Sequence, residues 1–443
     1  MENQRKSAAF LTLGCKVNAY ETDAMQKLFR DAGYEIRDFE EAADIYIVNT
    51  CTVTSIADRK SRQMLHRAKK RNPDALVVAA GCYVNAAADR LLEDDAVDLV
   101  VGNHEKNQIV ALCEARMADP GEKRFAENIF AGREYEPLAI EDAGDKTRAY
   151  IKIQDGCNQF CTYCIIPYAR GRVRSRDAED VLREVQALAE KGYREIVLTG
   201  IHLTSYGIDR KEEGALLSLI LKLCEIDGIE RIRLGSLEPG IITEEFVDKL
   251  SAEPKFCPHF HLSLQSGCED TLKRMNRHYT PDEFYEKCLL IRKAWEAPAL
   301  TTDVIVGFPG ETDREFEESR AFLEKCAFSQ MHIFKYSKRE GTKAAAMPDQ
   351  VPETVKNTRS AKLLSLEEEL RFRYVDALAG TVQSVLFEEE VTSAGIPYTV
   401  GHNERYVRIG VPADVSLEGE FRNVRILGRG EDGILLGEIM KEI

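Results

Sequence analysis

The most informative stretch of this sequence is Cys157-Asn158-Gln159-Phe160-Cys161-Thr162-Tyr163-Cys164. Its three thiols follow the spacing CxxxCxxC, which allows them to bind three irons of one cubane iron–sulfur cluster. Such clusters usually take four thiolates, and no fourth cysteine lies nearby in the sequence. One iron would therefore keep an open position for an exchangeable ligand. The alternative is a zinc knuckle with a distant ligand, although structural zinc normally shows paired CxxC or CxxC/HxxxH spacing.

These three barrel cysteines (Cys157, Cys161 and Cys164) follow a strand pattern. Residues 150–156 read as a strand that ends in a glycine turn, and strand and helix patterns then alternate along the chain. The strand patterns cover residues 150–156, 195–200, 231–236, 259–264, 300–306 and 331–334. Six such units predict an incomplete (βα)6 barrel, in which the chemistry collects at the carboxyl ends of the strands.

The amino-terminal part of the chain repeats one pattern three times. A continuous apolar run leads to a cysteine, and a helical pattern follows. The runs are 8–13, 45–48 and 75–80, and the N-terminal cysteines that follow them are Cys15, Cys51 and Cys82. Such runs predict a parallel sheet covered on both faces, whose carboxyl-end loops lie side by side. We therefore expect these cysteines to converge and to hold a second cluster, the alternative being that each is a small core residue.

The end of the chain predicts a small antiparallel barrel. A helical pattern over 353–378 is followed only by short strand patterns with glycine turns, which is typical of such barrels. An earlier stretch from about Cys113 to Arg148 loses its apolar periodicity and reads as a linker. We assign the chain to the α/β class, with these predicted parts: an α/β domain at 6–117, a linker at 118–142, the central barrel at 143–374 and the last barrel at 376–443.

Composition limits the possible functions. The chain has 443 residues, a net charge of −15 and 12 cysteines. The negative charge argues against non-specific coating of nucleic acid. The sequence contains no secretory leader pattern and no apolar run long enough to span a membrane, so we expect a cytoplasmic protein whose thiols are reduced.

Local basic groups are the candidates for RNA contacts. Arg170, Arg172, Arg174 and Arg176 alternate, so in an extended chain all four would share one face and could meet phosphates; the alternative is a solvated strand edge. The helix after Cys51 is strongly basic, and its default interpretation is a solvated face. In the last barrel the candidates are Arg405 and Arg408, although that region carries twelve acids against six bases.

The CxxxCxxC stretch and its strand resemble the radical S-adenosylmethionine (SAM) enzymes. The resemblance implies that the open iron binds SAM and that one electron cleaves SAM to a 5′-deoxyadenosyl radical. Tyr163 matches an aromatic residue that these enzymes often place near the adenine. Further candidate SAM contacts stand at predicted strand ends: Thr199, Gly200, Ser236, Glu238 and Gln265. The frequent Gly-Gly-Glu triplet is absent, and Thr199-Gly200-Ile201-His202 stands in its place.

Further motifs resemble the methylthiotransferases, a radical SAM subgroup. They are Leu13–Asn18, Asn49-Thr50-Cys51, Gly81-Cys82, Ser263–Gly267 and Val306–Glu311, and the tail resembles the RNA-binding TRAM domain found at this position in the family. The resemblance implies two [4Fe-4S] clusters and SAM as cofactors. The N-terminal cluster would carry the sulfur. The product would replace a C–H bond by C–S–CH3, which needs a radical because such a bond has no acidic proton.

Residues 14–22 look most like the family members that act on N6-threonylcarbamoyladenosine beside the tRNA anticodon, at position 37. The expected product is the 2-methylthio derivative. The expected partners are tRNA, an electron donor such as flavodoxin or ferredoxin, and a sulfur donor. Two alternatives stay open at this point. One is methylthiolation of an aspartate in a small-subunit ribosomal protein, and the other is a non-catalytic iron–sulfur or zinc protein that binds RNA.

Overall fold

The computed structural model describes residues 6–119, 121, 134–142, 144, 147–393, 395–413, 417–430 and 433–440. Along these residues the chain forms a parallel sheet, then a curved set of parallel strands, and finally a small closed barrel. In the described part of the chain, no helix is both long and apolar enough to cross a membrane.

The amino-terminal sheet has five parallel strands in the order β2-β1-β3-β4-β5. The strands are β1 (Ser7–Thr12), β2 (Glu35–Arg37), β3 (Ile45–Thr50), β4 (Leu76–Gly81) and β5 (Leu99–Val100). The helices are α1 (Lys16–Asp31), α2 (Ser55–Arg71), α3 (Cys82–Ala86), α4 (Ala88–Leu92) and α5 (Ile109–Ala118). Every residue of β3 and β4 is buried, because helices cover both faces, and this explains the continuous apolar runs. The strand order reverses between β1 and β3, which is where open α/β sheets bind ligands.

The central part is an incomplete barrel of six parallel strands, as predicted. These six strands are β6 (Arg148–Asp155), β8 (Glu195–Gly200), β9 (Arg231–Leu234), β10 (His259–His261), β11 (Ala299–Val306) and β12 (Gln330–Lys335), and a seventh, short strand is β7 (Arg174–Ser175). Isolated bridges join β9 to the β10 side, and the short β7 lies antiparallel on the outer edge of β6. The helices are α6 (Ile166–Arg170), α7 (Ala178–Glu190), α8 (Ala215–Cys224), α9 (Glu244–Ser251), α10 (Glu269–Arg274), α11 (Pro281–Ala294), α12 (Asp313–Cys326) and α13 (Glu353–Asp376).

The two faces of the central strands differ in polarity. On β11, Leu300, Val304 and Val306 belong to the apolar core that the strands share with the surrounding helices. The alternate residues Thr301 and Asp303 face the opposite way, toward the inside of the barrel. The same alternation holds on β6, β9 and β10, so the inner face of the barrel is polar and suited to a charged ligand.

The last barrel is closed in the order β13-β14-β15-β17-β16. Its strands are β13 (Val382–Ser393), β14 (Ile396–Asn403), β15 (Arg408–Pro412), β16 (Phe421–Arg429) and β17 (Leu435–Ile439). It seals the amino end of the central barrel. Arg231 donates to the carbonyl oxygen of Ser384 at 2.6 Å, and Arg233 donates to that of Glu404 at 2.8 Å. The carboxyl end of the central barrel is thereby left for chemistry.

The region predicted as a linker has a packed end. Leu138 and Ile140 are buried in the central core. The hydroxyl of Tyr20 on α1 donates to the carbonyl oxygen of Leu138 at 2.8 Å, and the N–H of Ile140 donates to Glu184 at 2.6 Å. Residues 134–142 therefore tie the amino-terminal sheet to the central barrel. Residues 120 and 122–133 of that predicted linker lie outside the described part.

Candidate active site

The loop of the barrel cysteines starts directly after β6 at Gly156. Its φ is 70°, and a Cβ there would fall 1.9 Å from the carbonyl oxygen of Arg172, so this turn requires glycine. The backbone of Thr162 then fixes the middle of the loop. Its N–H donates to the carbonyl oxygen of Met275 at 3.0 Å, and its own carbonyl oxygen accepts from the N–H of Ala344 at 2.8 Å. The loop is thus held from two sides of the barrel.

The three barrel thiols lie in one largely buried site. Burial raises the pKa of Cys157 to about 11 and that of Cys164 to about 12, and both thiols interact electrostatically with Cys161. The guanidinium of Arg277 lies 3.3 Å from the sulfur of Cys161. A hydrogen bond from a cation stabilises the thiolate form. These residues fit a three-thiolate cluster, whose binding would have to release the thiol protons.

The N-terminal cysteines also come together, at the carboxyl ends of β1, β3 and β4. Gly14 has a φ of 100°, and a Cβ there would lie 2.8 Å from the sulfur of Cys51, so the loop before Cys15 passes directly against Cys51. Burial raises the pKa of Cys51 to about 11, with smaller effects from the neighbouring Cys82 and Cys15. The strand-end positions that the apolar runs predicted therefore bring these residues to one place.

A buried ionic network lies beside Cys82. The carboxylates of Glu21 on α1 and Asp155 on β6 are its anions. Four cations bond to these two carboxylates: Lys106, Lys152, Arg170 and Arg174. Buried charge needs compensation, and the excess of cations fits an anionic thiolate cluster next to Cys82.

Arg170 joins the two cysteine sites. It ends α6, the short helix that follows the loop of the barrel cysteines. Its Nε atom donates to the sulfur of Cys82 at 3.0 Å, and its Nη1 atom donates to Glu21 at 2.7 Å. One side chain of the central barrel therefore forms part of the wall around the N-terminal cysteines.

Of the predicted SAM contacts, Glu238 has the most defined surroundings. Its carboxylate lies 2.6 Å from Arg277, the residue that also contacts Cys161, and 3.4 Å from His202. Burial acts to raise the pKa of Glu238, but the contact with His202 and the charge of Arg277 outweigh it and leave the pKa below its ordinary value. Glu238 is thus an ionised hydrogen-bond acceptor near the barrel cysteines.

The other predicted SAM contacts vary in position. Gln265 adopts a left-handed backbone with φ of 71°, which costs energy for a residue other than glycine and is frequent at functional sites. Thr199 is buried at the end of β8, while Ser236 is exposed. A Cβ on Gly200 would lie 2.8 Å from Gln154. Tyr163 packs edge-on against Phe308, with ring centroids 6.4 Å apart.

The inside of the barrel also holds a cluster of polar side chains. Lys16 reaches in from α1, and burial together with the charges of Arg233 and Arg148 lowers its pKa to about 8. Further along, His261, Asp303 and His332 each offer a ligand atom within 4.8 Å of one another. That spacing suits one divalent ion, but His261 is also satisfied without one, since it contacts Thr301 at 3.0 Å and Asp303 at 3.3 Å.

The four alternating arginines do not form one surface, so this prediction is wrong in its geometry. Arg170 is helical, and Arg170, Arg174 and Arg176 are buried. Arg174 lies 3.4 Å from Asp155, and Arg176 bonds Glu184 at 2.5 Å. These three side chains are already paired with carboxylates, so they are not available to phosphates. Only Arg172 is exposed, over the ring of Phe160 at 4.7 Å.

The arginines of the last barrel also differ in availability. The guanidinium of Arg405 donates to the carbonyl oxygens of Ala297 at 3.0 Å and Glu296 at 3.1 Å, which fixes the last barrel on the central one. Its role here is packing between domains. Arg408 is 40% exposed and pairs with Glu389 at 2.7 Å, so it remains a candidate for phosphate contact.

The helix after Cys51 has an exposed basic face. Arg59, Lys60 and Lys70 on α2 are exposed. The apolar residues Val53 and Ile56 at the start of the same segment are 56% and 65% exposed. Basic and apolar side chains together beside the N-terminal cysteines form a surface suited to nucleic acid, where cations meet phosphates and apolar groups meet bases.

Several residues of this site carry no signal in the sequence. Arg277 contacts Cys161 across 116 residues of chain. Arg339 donates to Asp58 at 2.6 Å and to Thr52 at 2.6 Å, and so holds the loop after Cys51. A lone arginine has no spacing pattern, and only the fold brings it to its partner.

Comparisons with known proteins agree with this geometry. Two family descriptions match the chain: the Radical SAM superfamily at residues 151–323 and Uncharacterized protein family UPF0004 at residues 7–102. The chain is 42% identical to the threonylcarbamoyladenosine tRNA methylthiotransferase MtaB of Bacillus subtilis, over 96% of this chain and 94% of the relative. It is 34% identical to the tRNA-2-methylthio-N(6)-dimethylallyladenosine synthase of Geotalea uraniireducens, over 97% and 98%.

Solved structures share the fold at low sequence identity. The radical S-adenosylmethionine methyltransferase TsrM from Kitasatospora setae superposes with a TM-score of 0.56 and 16% identity, covering 86% of this chain and 80% of that one. This likeness concerns the fold alone. It agrees with the incomplete barrel predicted from the six strand patterns.

Proposed function

The chain belongs to the radical SAM methylthiotransferases, and within that family we propose that it methylthiolates C2 of N6-threonylcarbamoyladenosine at position 37 of tRNA. The observation that carries the proposal is the 42% identity to a curated enzyme named for this nucleoside, along almost the whole of both chains. The relative named for the dimethylallyl nucleoside is less similar, at 34%. A ribosomal-protein substrate and a non-catalytic RNA-binding protein are not favoured by these relatives.

The cofactors of this reaction are two [4Fe-4S] clusters and SAM. When bound, they supply the radical and the sulfur for a C–H bond that no base can activate. We assign the barrel cysteines to the cluster that binds SAM and the N-terminal cysteines to the sulfur-carrying cluster. The hydrogen bonds from Arg277 to Cys161 and from Arg170 to Cys82 support this assignment, because they stabilise thiolates in buried sites.

The residues around the barrel cysteines are assigned to SAM. The ionised carboxylate of Glu238 would accept hydrogen bonds from the amino group of SAM, and Arg277 holds that carboxylate in place. Tyr163, beside Phe308, would line the adenine side. The remaining candidates are Thr199, Gly200, Ser236 and Gln265. Among these, the left-handed backbone of Gln265 gives the strongest support.

For RNA binding, we assign the exposed face of α2 together with Arg172 and Arg408. These side chains are exposed to solvent, which supports this choice. The domain limits of 6–117, 118–142, 143–374 and 376–443 are kept as a proposal. The division of the strands among the amino-terminal sheet, the central barrel and the last barrel supports them, although Leu138 and Ile140 pack in the central core.

The reaction also requires partners outside this chain. We propose an electron donor such as flavodoxin or ferredoxin and a separate sulfur donor, because this chemistry consumes both electrons and sulfur. A cytoplasmic location follows from a tRNA substrate. The 12 cysteines, all free in the structure, suit a reducing compartment.

Nucleoside mass spectrometry of tRNA from a deletion strain tests the proposal. Loss of the 2-methylthio derivative, with threonylcarbamoyladenosine accumulating, is the expected result. Complementation with the wild-type gene should restore the product, and the Cys51→Ala gene should not. Unchanged threonylcarbamoyladenosine products together with loss of the dimethylallyl derivative would move the substrate to the other tRNA class. Unchanged tRNA with a changed ribosomal protein would reject tRNA as the substrate.

A further inference from the structure

The inner face of the central barrel holds the ammonium group of Lys16, near the guanidinium groups of Arg148 and Arg233. Lys16 directly follows Cys15, and its Nζ atom lies 5.9 Å from the ring centroid of Tyr150 and 5.8 Å from that of Tyr406. Within the described ranges, Lys16 makes no ion pair with a carboxylate. Both rings lie at the outer limit of cation–π distance from this cation.

The carboxylates in this part of the barrel are already engaged. Glu195 lies 2.9 Å from Arg148, 3.6 Å from Arg231 and 3.2 Å from Arg233. Glu388 pairs with Arg148 as well, and Glu404 lies 3.6 Å from Arg231. The three guanidinium groups are therefore matched by three carboxylates, and Lys16 adds a further positive charge beside them. A desolvated cation next to other cations is costly unless an anion accompanies it.

Asp303 does not supply that anion either. Its carboxylate lies on the inner face of β11 and contacts His261 at 3.3 Å. The rings of His261 on β10 and His332 on β12 stack on this side, with centroids 5.9 Å apart. The inside of the barrel near Lys16 is thus positively charged and fits a ligand with a carboxylate.

We propose that Lys16 binds the carboxylate of the threonyl group on the substrate base, an inference that rests on the proposed function. The base must place C2 beside the N-terminal cysteines, and Lys16 is the residue next to Cys15. C2 and C6 of the base both flank N1, so the N6 substituent lies next to the reacting carbon and ends in a carboxylate several bonds away. It can therefore extend into the barrel toward Lys16, beside Tyr150 and Tyr406.

This contact makes Lys16 a specificity-determining residue. A dimethylallyl group carries no charge and would leave the ammonium unpaired in a desolvated site. Sites built to pair a buried polar group reject ligands that lack the partner far more strongly than apolar pockets reject a missing methylene group. The enzyme should therefore discriminate by charge rather than by the size of the N6 substituent.

Equilibrium binding to two short RNAs tests the inference. Both are anticodon stem-loops; one carries N6-threonylcarbamoyladenosine, and the other carries the same base with its carboxylate replaced by a carboxamide. Anaerobically reconstituted wild-type protein should bind the carboxylate RNA at least about tenfold more tightly, as expected for a hydrogen bond to a charged group. Lys16→Gln should bind both RNAs with the wild-type affinity for the carboxamide RNA.

Lys60→Gln is the matched control, since Lys60 is an exposed lysine of α2. Lys60→Gln should weaken the binding of both RNAs by the same factor. The iron content shows whether Lys16→Gln keeps its clusters. The comparison of the two RNAs on wild-type protein tests recognition of the carboxylate without any substitution.

Equal wild-type affinity for the two RNAs would overturn the role of Lys16. That role would also be overturned if an iron-replete Lys16→Gln protein still bound the carboxylate RNA more tightly than the carboxamide RNA. If the wild type forms methylthio product on the carboxylate RNA in either case, the proposed function stands. If it forms none, the substrate assignment fails, and this inference fails with it.

Discussion

The guanidinium of Arg170 reaches the sulfur of Cys82 at 3.0 Å, although 88 residues separate them. Arg170 closely follows the last barrel cysteine, and Cys82 begins α3 of the amino-terminal part. The same guanidinium bonds Glu21 and Asp155. The distance between the two cysteine sites is therefore fixed by one buried side chain rather than by a flexible connection.

Arg170→Met should disturb the site of the N-terminal cysteines. Removing one partner of a buried ionic network leaves the others uncompensated and costs roughly 3–5 kcal/mol. We expect a lower thermal midpoint and iron that falls from about eight per chain toward about four, at four irons per cubane. Arg172→Met is the control, because it changes an exposed arginine two residues later in the chain. It should keep the wild-type thermal midpoint and iron content. Full iron in Arg170→Met would show that Arg170 does not support that cluster.

Replacing the N-terminal cysteines together by alanine should halve the iron. The reconstituted wild-type protein should hold about eight irons and the triple variant about four, since only one cubane loses its ligands. A triple variant of buried core cysteines, Cys113→Ala with Cys224→Ala and Cys268→Ala, controls for the loss of thiols. Iron equal to wild type in the first variant would remove the N-terminal cluster from the assignment.

Single cysteine variants should separate two activities. Cys161→Ala should abolish cleavage of SAM to 5′-deoxyadenosine, because it removes a ligand of the site where SAM binds. Cys51→Ala should keep some cleavage but form no methylthio product. Chromatography of 5′-deoxyadenosine and mass spectrometry of the RNA give the two readouts. Complete loss of cleavage in a well-folded Cys51→Ala protein would contradict this division.

The two arginines of the last barrel should behave differently. Arg408→Ala should weaken tRNA binding and reduce the slope of log affinity against log salt by about one unit, as for one lost phosphate contact. Arg405→Ala should leave that slope unchanged and lower the thermal midpoint, because its guanidinium bonds the backbone of Glu296 and Ala297. A reduced salt slope in Arg405→Ala alone would reverse these assignments.

Glu136 should make stability depend on pH. Burial raises its pKa to about 7 from an ordinary value of 4.5, against the lowering effect of Lys106 and Lys152. The folded protein then holds a proton that the unfolded chain releases, so this contribution is present below pH 4.5 and is lost as pH rises to about 7. Over that window the loss is roughly 3 kcal/mol.

Glu136→Gln imitates the protonated form, so its advantage in thermal midpoint over wild type should grow between pH 5 and pH 8. Glu141→Gln changes an exposed carboxylate of the same segment and should show no such trend. A difference between Glu136→Gln and wild type that stays constant with pH would mean that Glu136 is ionised throughout this range.

The sequence predicts the fold well because parallel strands leave a strong pattern. The runs that became β3 and β4 are apolar at nearly every position, since both faces are buried. A cysteine directly after such a run stands at a sheet edge, where neighbouring loops meet. The positions of Cys51 and Cys82 could therefore be inferred without any contact information.

The same kind of pattern gives a wrong prediction for the four alternating arginines. Alternation of Arg170, Arg172, Arg174 and Arg176 suggests an exposed strand, but α6 extends to Arg170 and Gly171 then turns with φ of 75°. Three of them are buried against carboxylates: Arg170 pairs with Glu21 of the amino-terminal part, Arg174 with Asp155 and Arg176 with Glu184. Periodicity reports local geometry, and it carries no information on a carboxylate that the fold supplies from another domain.

The seal at the amino end of the central barrel has a consequence for how the protein is made. The carbonyl oxygens that accept from Arg231 and Arg233 belong to residues about 150–170 positions later in the chain. On a ribosome, these arginines emerge before those acceptors, because synthesis and folding proceed from the amino terminus onward. Until the last barrel has been made, Glu195 is the partner that both arginines already have. A chain that stops near Leu378 would lack the backbone acceptors and would expose the amino end of the central barrel to water. The central barrel therefore gains its full set of contacts only when translation is complete.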